Sequence, residues 1–361
     1  MEITQFENIY RGKKIFVTGH TGFKGTWLCL WLQELGAEIT GYSLPLNERN
    51  QHFKNLNLSV KNYYNDLNDY DILQQALQES QPDIVFHLAA QSLVRESYKN
   101  PIPTFQTNLI GSLNLYQACL QTSSVKAIVS ITTDKVYQNN EWYWGYREID
   151  RLGGNDPYSA SKACVEIMTE SFRKSFLSHN QILLASVRAG NVIGGGDWAE
   201  DRLIPDLMRA YQNKQVLQIR NPKAIRPWQH VLEPLAGYLL LGQRLLEKNV
   251  HFATAWNFGP EETDAIAVEN VLEKFEKHLP QIPIRYEQSS LHEAQILKLD
   301  CSKAKTELRW KPVWNVEKAI QQTAFWYREF IEKKHIISRQ QLKEYITDAQ
   351  QYQVSWIKNA I

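Results

Sequence analysis

The sequence predicts an α/β fold, a doubly wound parallel sheet joined to a smaller mixed α/β lobe, and three observations carry that expectation. An apolar strand at 14–18 runs through glycines 19, 22 and 25 into an apolar helix. Strand and helix then alternate as far as residue 188. Beyond it the rhythm breaks at a glycine-rich loop, 190–198, and later elements are shorter and mixed.

Each element has its own signal. Residues 14–18, Lys-Ile-Phe-Val-Thr, form a short apolar strand, and Gly19, Gly22 and Gly25 follow in GxxGxxG spacing. Such glycines give a tight turn, a close backbone approach and packing of helix on strand. The helix that follows, to residue 35, offers N–H groups and a positive dipole to a pyrophosphate. A bare glycine triplet also reads as a flexible turn; the order strand, glycines, helix is what favours dinucleotide binding in a Rossmann-like sheet. The second strand, 38–43, ends at Ser43 without the carboxylate that usually receives an adenosine ribose, and Arg49 nearby permits NADP as well as NAD. A helix at 69–79 and a strand at 83–88 follow, then a helix after Pro103, a strand at 125–132, a helix at 157–176 opened by Asp156-Pro157, and a strand at 182–188. Past the glycine-rich loop come a helix at 204–212, an extended run at 215–219 and a helical stretch at 264–278. The helix at 232–247 and the strand at 255–258 are expected to return to the first lobe. The expected division is therefore 1–188 with 232–258 for the dinucleotide, and 189–231 with 259–361 for the substrate lobe and two C-terminal helices. Those helices, 316–334 and 339–358, are expected to cover the small lobe or serve an interface, the second capped by Ser338.

Composition excludes several classes. Forty basic and thirty-nine acidic residues in 361 leave a net charge of +1, without a lysine or arginine track for nucleic acid. No apolar run reaches the length of a membrane span, and the acidic start lacks a secretion signal, so a cytoplasmic protein is expected. Cys29, Cys119, Cys164 and Cys301 lie far apart in sequence, which excludes a CxxC metal or redox motif and reads as buried free thiols.

The candidate chemistry lies in two strings, Thr-Thr-Asp-Lys-Val-Tyr at 132–137 and Tyr158 to Lys162. Tyr158 and Lys162 are four apart on a helix and share a face. An ammonium beside a phenol favours the phenolate, so the pair reads as a tuned base. The same spacing occurs on ordinary surface helices, and Asp134 also suits a turn. Adjacent strand residues point to opposite faces, so Asp134 and Lys135 both reach one pocket only if the strand has ended before them.

Together, Gly19 to Gly25, the run from His87 to Gln91, Thr133-Asp134 and Tyr158 with Lys162 resemble the extended short-chain dehydrogenase/reductases that act on nucleotide sugars, across nearly the whole chain. An acid directly after the threonine resembles the hexose 4,6-dehydratases rather than the 4-epimerases. Longer strings, Gly19 to Trp27, Arg188 to Trp198 and Arg226 to Val231, resemble the branch that acts on CDP-glucose. The resemblance implies a lyase with tightly held NAD that makes a 4-keto-6-deoxy sugar nucleotide for deoxysugar and O-antigen synthesis, and a homodimer built through the helices after Pro103 and Pro157. It implies cofactor contacts from Gly19, His20, Thr21, Gly22, Phe23, Gly25, Asp66, Leu88, Ala89, Ala90, Tyr158 and Lys162. Substrate contacts are implied for Gln91, Ser92, Asn191, Arg202, Arg226 and His230; arginine forks suit a diphosphate. Thr133 would steer O4, Tyr158 would take its proton and Asp134 would protonate the departing 6-hydroxyl. Lys135 departs from the commoner pattern, where a glutamate is the C5 base, and a lysine can serve only with a neutral amine. Arg188 and Arg209 read equally as surface ion-pairing residues, and Trp142, Trp144, Trp198 and Trp228 as loop packing. The rivals are a 4-epimerase, a dehydratase for another nucleotide sugar and a non-catalytic dinucleotide sensor.

Overall fold

The computed structural model describes residues 3–177, 181–287 and 294–359. Seven parallel strands form its main sheet: β1 (Lys14–Thr18), β2 (Glu38–Ser43), β3 (Val60–Tyr64), β4 (Ile84–His87), β5 (Ala127–Ile131), β6 (Leu183–Arg188) and β7 (Ala255–Asn257). Their spatial order is β7-β6-β5-β4-β1-β2-β3. The chain therefore reverses direction across the sheet between β1 and β4, the place where open α/β sheets bind ligands beyond their carboxyl ends. Strand β5 is buried at every residue, as a parallel strand covered on both faces must be.

Helices α1 (Phe23–Glu34), α2 (Tyr70–Ser80), α3 (Gly111–Leu120), α4 (Pro157–Phe172), α5 (Leu203–Asn213), α6 (Leu232–Leu246), α7 (Val316–Lys333) and α8 (Ser338–Gln351) carry most of the packing. α6 lies against β5 and β6, and β7 pairs with β6, so this late segment completes the sheet. The helix expected over 157–176 gives way to a wider π turn at Arg173–Leu177, and the stretch expected to be helical from 264 begins with a strand, Ala265–Ala267, paired with Ile225–Pro227.

The C-terminal helices differ most from expectation. α7 packs on the helix Val268–Glu276, but α8 packs on α1. Gly25 to Leu32 of α1 are consequently all buried, because sheet and α8 cover opposite sides; a helix apolar all round is what such a position demands. Trp31 meets Tyr345 edge-on at 5.7 Å between ring centres. Ser338 does not cap α8. Its buried hydroxyl accepts a hydrogen bond from the Trp326 indole at 2.8 Å and pairs with His52 Nε2 at 2.7 Å, tying α8 to α7 and to the first lobe.

Cys29, Cys119 and Cys301 are buried and Cys164 half-buried, all as free thiols. No helix among the described residues is long and apolar enough to cross a membrane.

Candidate active site

A cavity of about 860 Å³ opens at the carboxyl ends of the central strands. One wall is the turn from β1 into α1. Gly19 sits at φ +69°, and a Cβ there would lie 2.8 Å from the Ala89 backbone nitrogen; at Gly25 it would meet the Gly19 carbonyl at 2.1 Å. Only glycine lets these backbones touch. Gly22 begins α1 without a side-chain cap, which leaves the N–H groups of its first turn for a ligand. Thr21, Gly22 and Phe23 line the cavity, as do Asp66, Leu88, Ala89 and Ala90.

His20 does not. Its ring turns back over the sheet, with Nε2 2.8 Å from Asn62 Oδ1, and lies so close to Gly41 that a Cβ there would clash with it. The expectation of a cofactor contact from the His20 side chain is corrected accordingly: burial lowers its proton affinity and leaves a neutral packing residue. Asp66 reaches the cavity wall, where its Oδ1 already accepts from the Asn68 backbone and side-chain amides, both at 2.9 Å. Arg49 pairs with Glu200 at 2.9 Å on the surface and does not line the cavity.

The opposite wall carries the reactive groups. β5 ends at Ile131, and Asp134–Val136 form a 3₁₀ turn, so Asp134 and Lys135 are past the strand and both line the cavity. The Thr133 hydroxyl donates to Asp134 Oδ1 at 3.0 Å. Asp134 is 1% exposed, and its Oδ2 is buried without a hydrogen-bond partner in the protein. An unpartnered buried carboxylate oxygen is costly unless a ligand completes it.

Tyr158 faces the same turn. Burial pushes its phenol up to about 12, against a hydrogen bond with Thr133 and the positive charge of Arg202. The expected lowering by Lys162 is not what dominates. That lysine donates to the Ile131 carbonyl at 3.2 Å, and burial pushes its own amine down to about 8. In the free protein desolvation outweighs the ammonium, and the phenol stays protonated.

Beneath the turn lies a buried ion pair, Glu166 with Arg188, at 2.8 Å. Thr132 donates to Glu166 at 2.5 Å, and Arg188 donates to the Tyr137 hydroxyl at 2.7 Å, so the pair grips both ends of the 132–137 turn. Arg188 is thus an interior residue, not a surface one. Arg209 pairs with Asp206 and also donates to the Trp198 and Ala199 carbonyls at 2.9 and 3.0 Å.

Among the substrate candidates, Gln91, Ser92, Asn191, Arg202 and Arg226 line the cavity. Arg202 bridges Asp197 at 3.0 Å and Ser92 at 2.9 Å. The Gln91 amide is engaged with Leu93 and Thr104 and holds its own loop. Arg226 donates to the carbonyls of Ile225 and Ala294. His230 is a correction. Its ring is fully buried edge-on to Trp27 and Trp314, 5.9 and 4.9 Å between centres, outside the cavity, and burial pushes it down to about 3. Position 230 lies in a two-residue parallel pair with Ile193 at the core, which directs the ring inward. Trp228 is the one of the four loop tryptophans that lines the cavity.

Sequence reasoning missed Lys24, Arg95, Arg220 and Tyr238. The first three line the cavity. Arg95 and Arg220 flank Asp201 at 3.6 and 3.1 Å. Lys24 sits 6.0 Å from the Tyr238 ring centre; burial, then Arg202 and Lys162, push its amine down to about 8 against Asp134 and Asp197. The signal was a lysine in the first turn of an otherwise apolar helix.

Residues 16–323 match the family model described as GDP-mannose 4,6 dehydratase. The chain is 45% identical over 358 residues to a CDP-glucose 4,6-dehydratase of Salmonella typhimurium, covering 94% of this chain and 98% of that protein. Two solved structures share the fold. A UDP-glucose 4-epimerase of Thermotoga maritima with UDP-glucose is 22% identical with a TM-score of 0.75, over 88% of this chain and 99% of that one. A dTDP-glucose 4,6-dehydratase of Bacillus anthracis in complex with NAD is 21% identical with a TM-score of 0.74, over 87% and 96%.

Proposed function

The chain belongs to the GDP-mannose 4,6-dehydratase family, and on that premise we propose that it is a CDP-glucose 4,6-dehydratase, a lyase that converts CDP-glucose to CDP-4-keto-6-deoxyglucose and water. The observation that carries the reading is Asp134: a buried carboxyl, one oxygen unpartnered, joined through Thr133 to the Tyr158 phenol. An oxidation or epimerisation at C4 needs only Tyr158 and its neighbours; loss of the 6-hydroxyl needs an acid at this place. The choice of cytidine follows the 45% identical relative.

NAD is the cofactor of this reading. The glycine cradle, the uncapped start of α1 and Ala89 under Gly19 suit a dinucleotide, and Arg49, turned to Glu200, supplies nothing for a 2′-phosphate. When bound, NAD would supply the acceptor for the hydride of sugar C4 and the donor of that hydride to C6. The chain's own residues do the rest: Thr133 steers O4, Tyr158 takes its proton, Asp134 protonates O6 as it leaves, and Lys135 removes the C5 proton that the 4-ketone has made acidic. Arg202 and Arg226, with Arg95 and Arg220, line the cavity for the diphosphate. Residues 1–188 with 232–258 serve as cofactor lobe and the remainder as substrate lobe and C-terminal helices. Homodimerisation belongs to the same proposal, through a face that carries exposed Ile102, Ile110, Leu113 and Ile167.

Incubation with CDP-glucose, dTDP-glucose and GDP-mannose, followed by the alkali-induced absorbance of a 4-keto sugar, tests the assignment. The expected result is product from CDP-glucose at a rate well above the other two. Absence of 4-keto product from all three, or formation of the C4 epimer, overturns it.

A further inference from the structure

Loss of water at C6 with a ketone left at C4 imposes a proton balance. The sugar gives up one proton from O4, and the departing O6 carries one away, so each cycle leaves the base protonated and the acid deprotonated. A proton must pass from the first to the second before the next cycle. Tyr158 and Asp134 hold those two places, and Thr133 stands between them. Its hydroxyl donates to Asp134 Oδ1 at 3.0 Å, and it lowers the pKa of the neighbouring Tyr158 phenol, which lines the same cavity wall. The three side chains are 6%, 1% and 7% exposed in the order Thr133, Asp134, Tyr158, which keeps bulk water from substituting for the hydroxyl. Asp134 Oδ1 is occupied by Thr133 while Oδ2 has no protein partner. One oxygen therefore faces a proton source, and the other lies against Gly190 with no protein hydrogen bond.

We propose that Thr133 is a proton relay: the proton lost from the sugar's 4-hydroxyl passes from Tyr158 through Thr133 to Asp134 and replaces the one that leaves with the 6-hydroxyl. The inference rests on the 4,6-dehydratase reading. The steps balance. The O4–H bond breaks as the Tyr158 Oη–H bond forms, while C4 gives up its hydride. Lys135 takes the C5 proton, the C5–H electron pair becomes the C5–C6 double bond, and C6–O6 breaks with its pair as Asp134 protonates O6 from Oδ2. The Oη proton then moves to Thr133 Oγ1 as the threonine's own proton moves to Asp134 Oδ1. A half-turn about the Asp134 Cβ–Cγ bond restores the start. The hydride returns to C6 and Lys135 delivers to C5 a proton that exchanges with solvent while on the amine, so nothing is oxidised overall and the Tyr158–Asp134 pair exchanges no proton with solvent.

Stopped-flow mixing of the holoenzyme with excess CDP-glucose in weak buffer, with a pH indicator and quench analysis of the 4-keto product, tests the relay. Thr133→Val removes the hydroxyl at constant volume; Thr133→Ser keeps it. Wild type and Thr133→Ser should turn over without a proton transient. Thr133→Val should release one proton per site, form one equivalent of product, and then continue at least about tenfold slower, with acetic acid accelerating the later turnovers only. Equal slowing of first and later turnovers without a transient would falsify the relay and leave Thr133 a steering group. Should the valine variant complete no first turnover, the wild type decides, because a one-proton release to solvent on hydride transfer is incompatible with the relay. Absence of 4-keto product from the wild type is a separate result that removes the dehydratase reading and the relay together.

Discussion

Gly190→Ala should separate loss of water from removal of the hydride. Gly190 follows β6 and backs directly onto Asp134; a methyl group there would lie 1.8 Å from Oδ2 and 2.2 Å from Cγ. Restoring even a tight contact of about 3.2 Å moves the carboxyl by about 1.4 Å. Such a shift breaks its 3.0 Å bond to Thr133 and carries Oδ2 off its position. Misplacement by about 1 Å costs about 100-fold in rate, or about 2.7 kcal/mol of barrier. Tyr158 and Lys162 stand on α4 and are untouched, so hydride removal continues while elimination stalls. Turnover to 4-keto product should fall about 100-fold, and substrate should raise the 340 nm absorbance of reduced cofactor as oxidised sugar accumulates. The backbone at Gly190 is not in the left-handed region, so the cost is confined to the displaced carboxyl, about 1–3 kcal/mol, and a fall of a few degrees in melting temperature with the protein still folded in the assay locates the loss at the site. Retention of more than about a third of wild-type turnover would show that Asp134 tolerates displacement, and would sink the assignment of the acid.

Two further outcomes concern Glu233 and Lys135. The Glu233 carboxyl accepts from the Val313 and Trp314 amides at 2.9 and 2.7 Å and from the Tyr345 hydroxyl at 2.9 Å, and burial pushes it up from 4.5 to about 7. The folded state holds this proton more tightly than the unfolded chain, so the contribution is full below about pH 4.5 and lost as pH rises to about 7. Thermal melts should drop across that window by the equivalent of about 3 kcal/mol, and Glu233→Gln should remove that slope; parallel slopes in both proteins would refute the linkage. For the C5 base, Lys135→Met should cut solvent deuterium entry at C5 about 100-fold or more. Undiminished entry, with loss instead in Lys24→Met, transfers the role to Lys24.

The parts of this molecule legible in its sequence are those where local pattern and tertiary demand coincide. Strands β1, β4, β5 and β6 are short apolar runs between turn signals, and the glycines at 19 and 25 are required by backbone contacts that any dinucleotide loop of this kind must make. Thr133, Asp134, Lys135, Tyr158 and Lys162 converge because the single connection that leaves β5 returns to the same edge of the sheet where α4 begins. What failed depends on direction rather than identity. His20 and His230 lie within the expected strings, yet both rings turn into the core, one over Gly41 and the other onto two tryptophans. Lys24 and Tyr238 were missed for the converse reason: one stands in an apolar helix, the other is 214 residues away on α6, and only the fold brings them together.

Placement of the reactive groups rests on a contact that no motif contains. A strand residue and its neighbour point to opposite faces, so a Thr-Asp-Lys run inside β5 could not present all three side chains to one cavity. The strand ends at Ile131, and the next residues coil into a single 3₁₀ turn, which solves the geometry but leaves a short irregular segment to be held in one conformation. Glu166 on α4 and Arg188 on β6 do this from below. The carboxylate takes the Thr132 hydroxyl, and the guanidinium takes the Tyr137 hydroxyl. A surface ion pair could not perform this task, since water would compete for every partner. A buried one cannot let go of either end without losing a hydrogen bond to a buried charge, at about 1.5–3 kcal/mol. Because Glu166 also lies one helical turn beyond Lys162, the same helix that supplies the base fixes the turn that supplies the acid, and the distance between the two is set by a single rigid element.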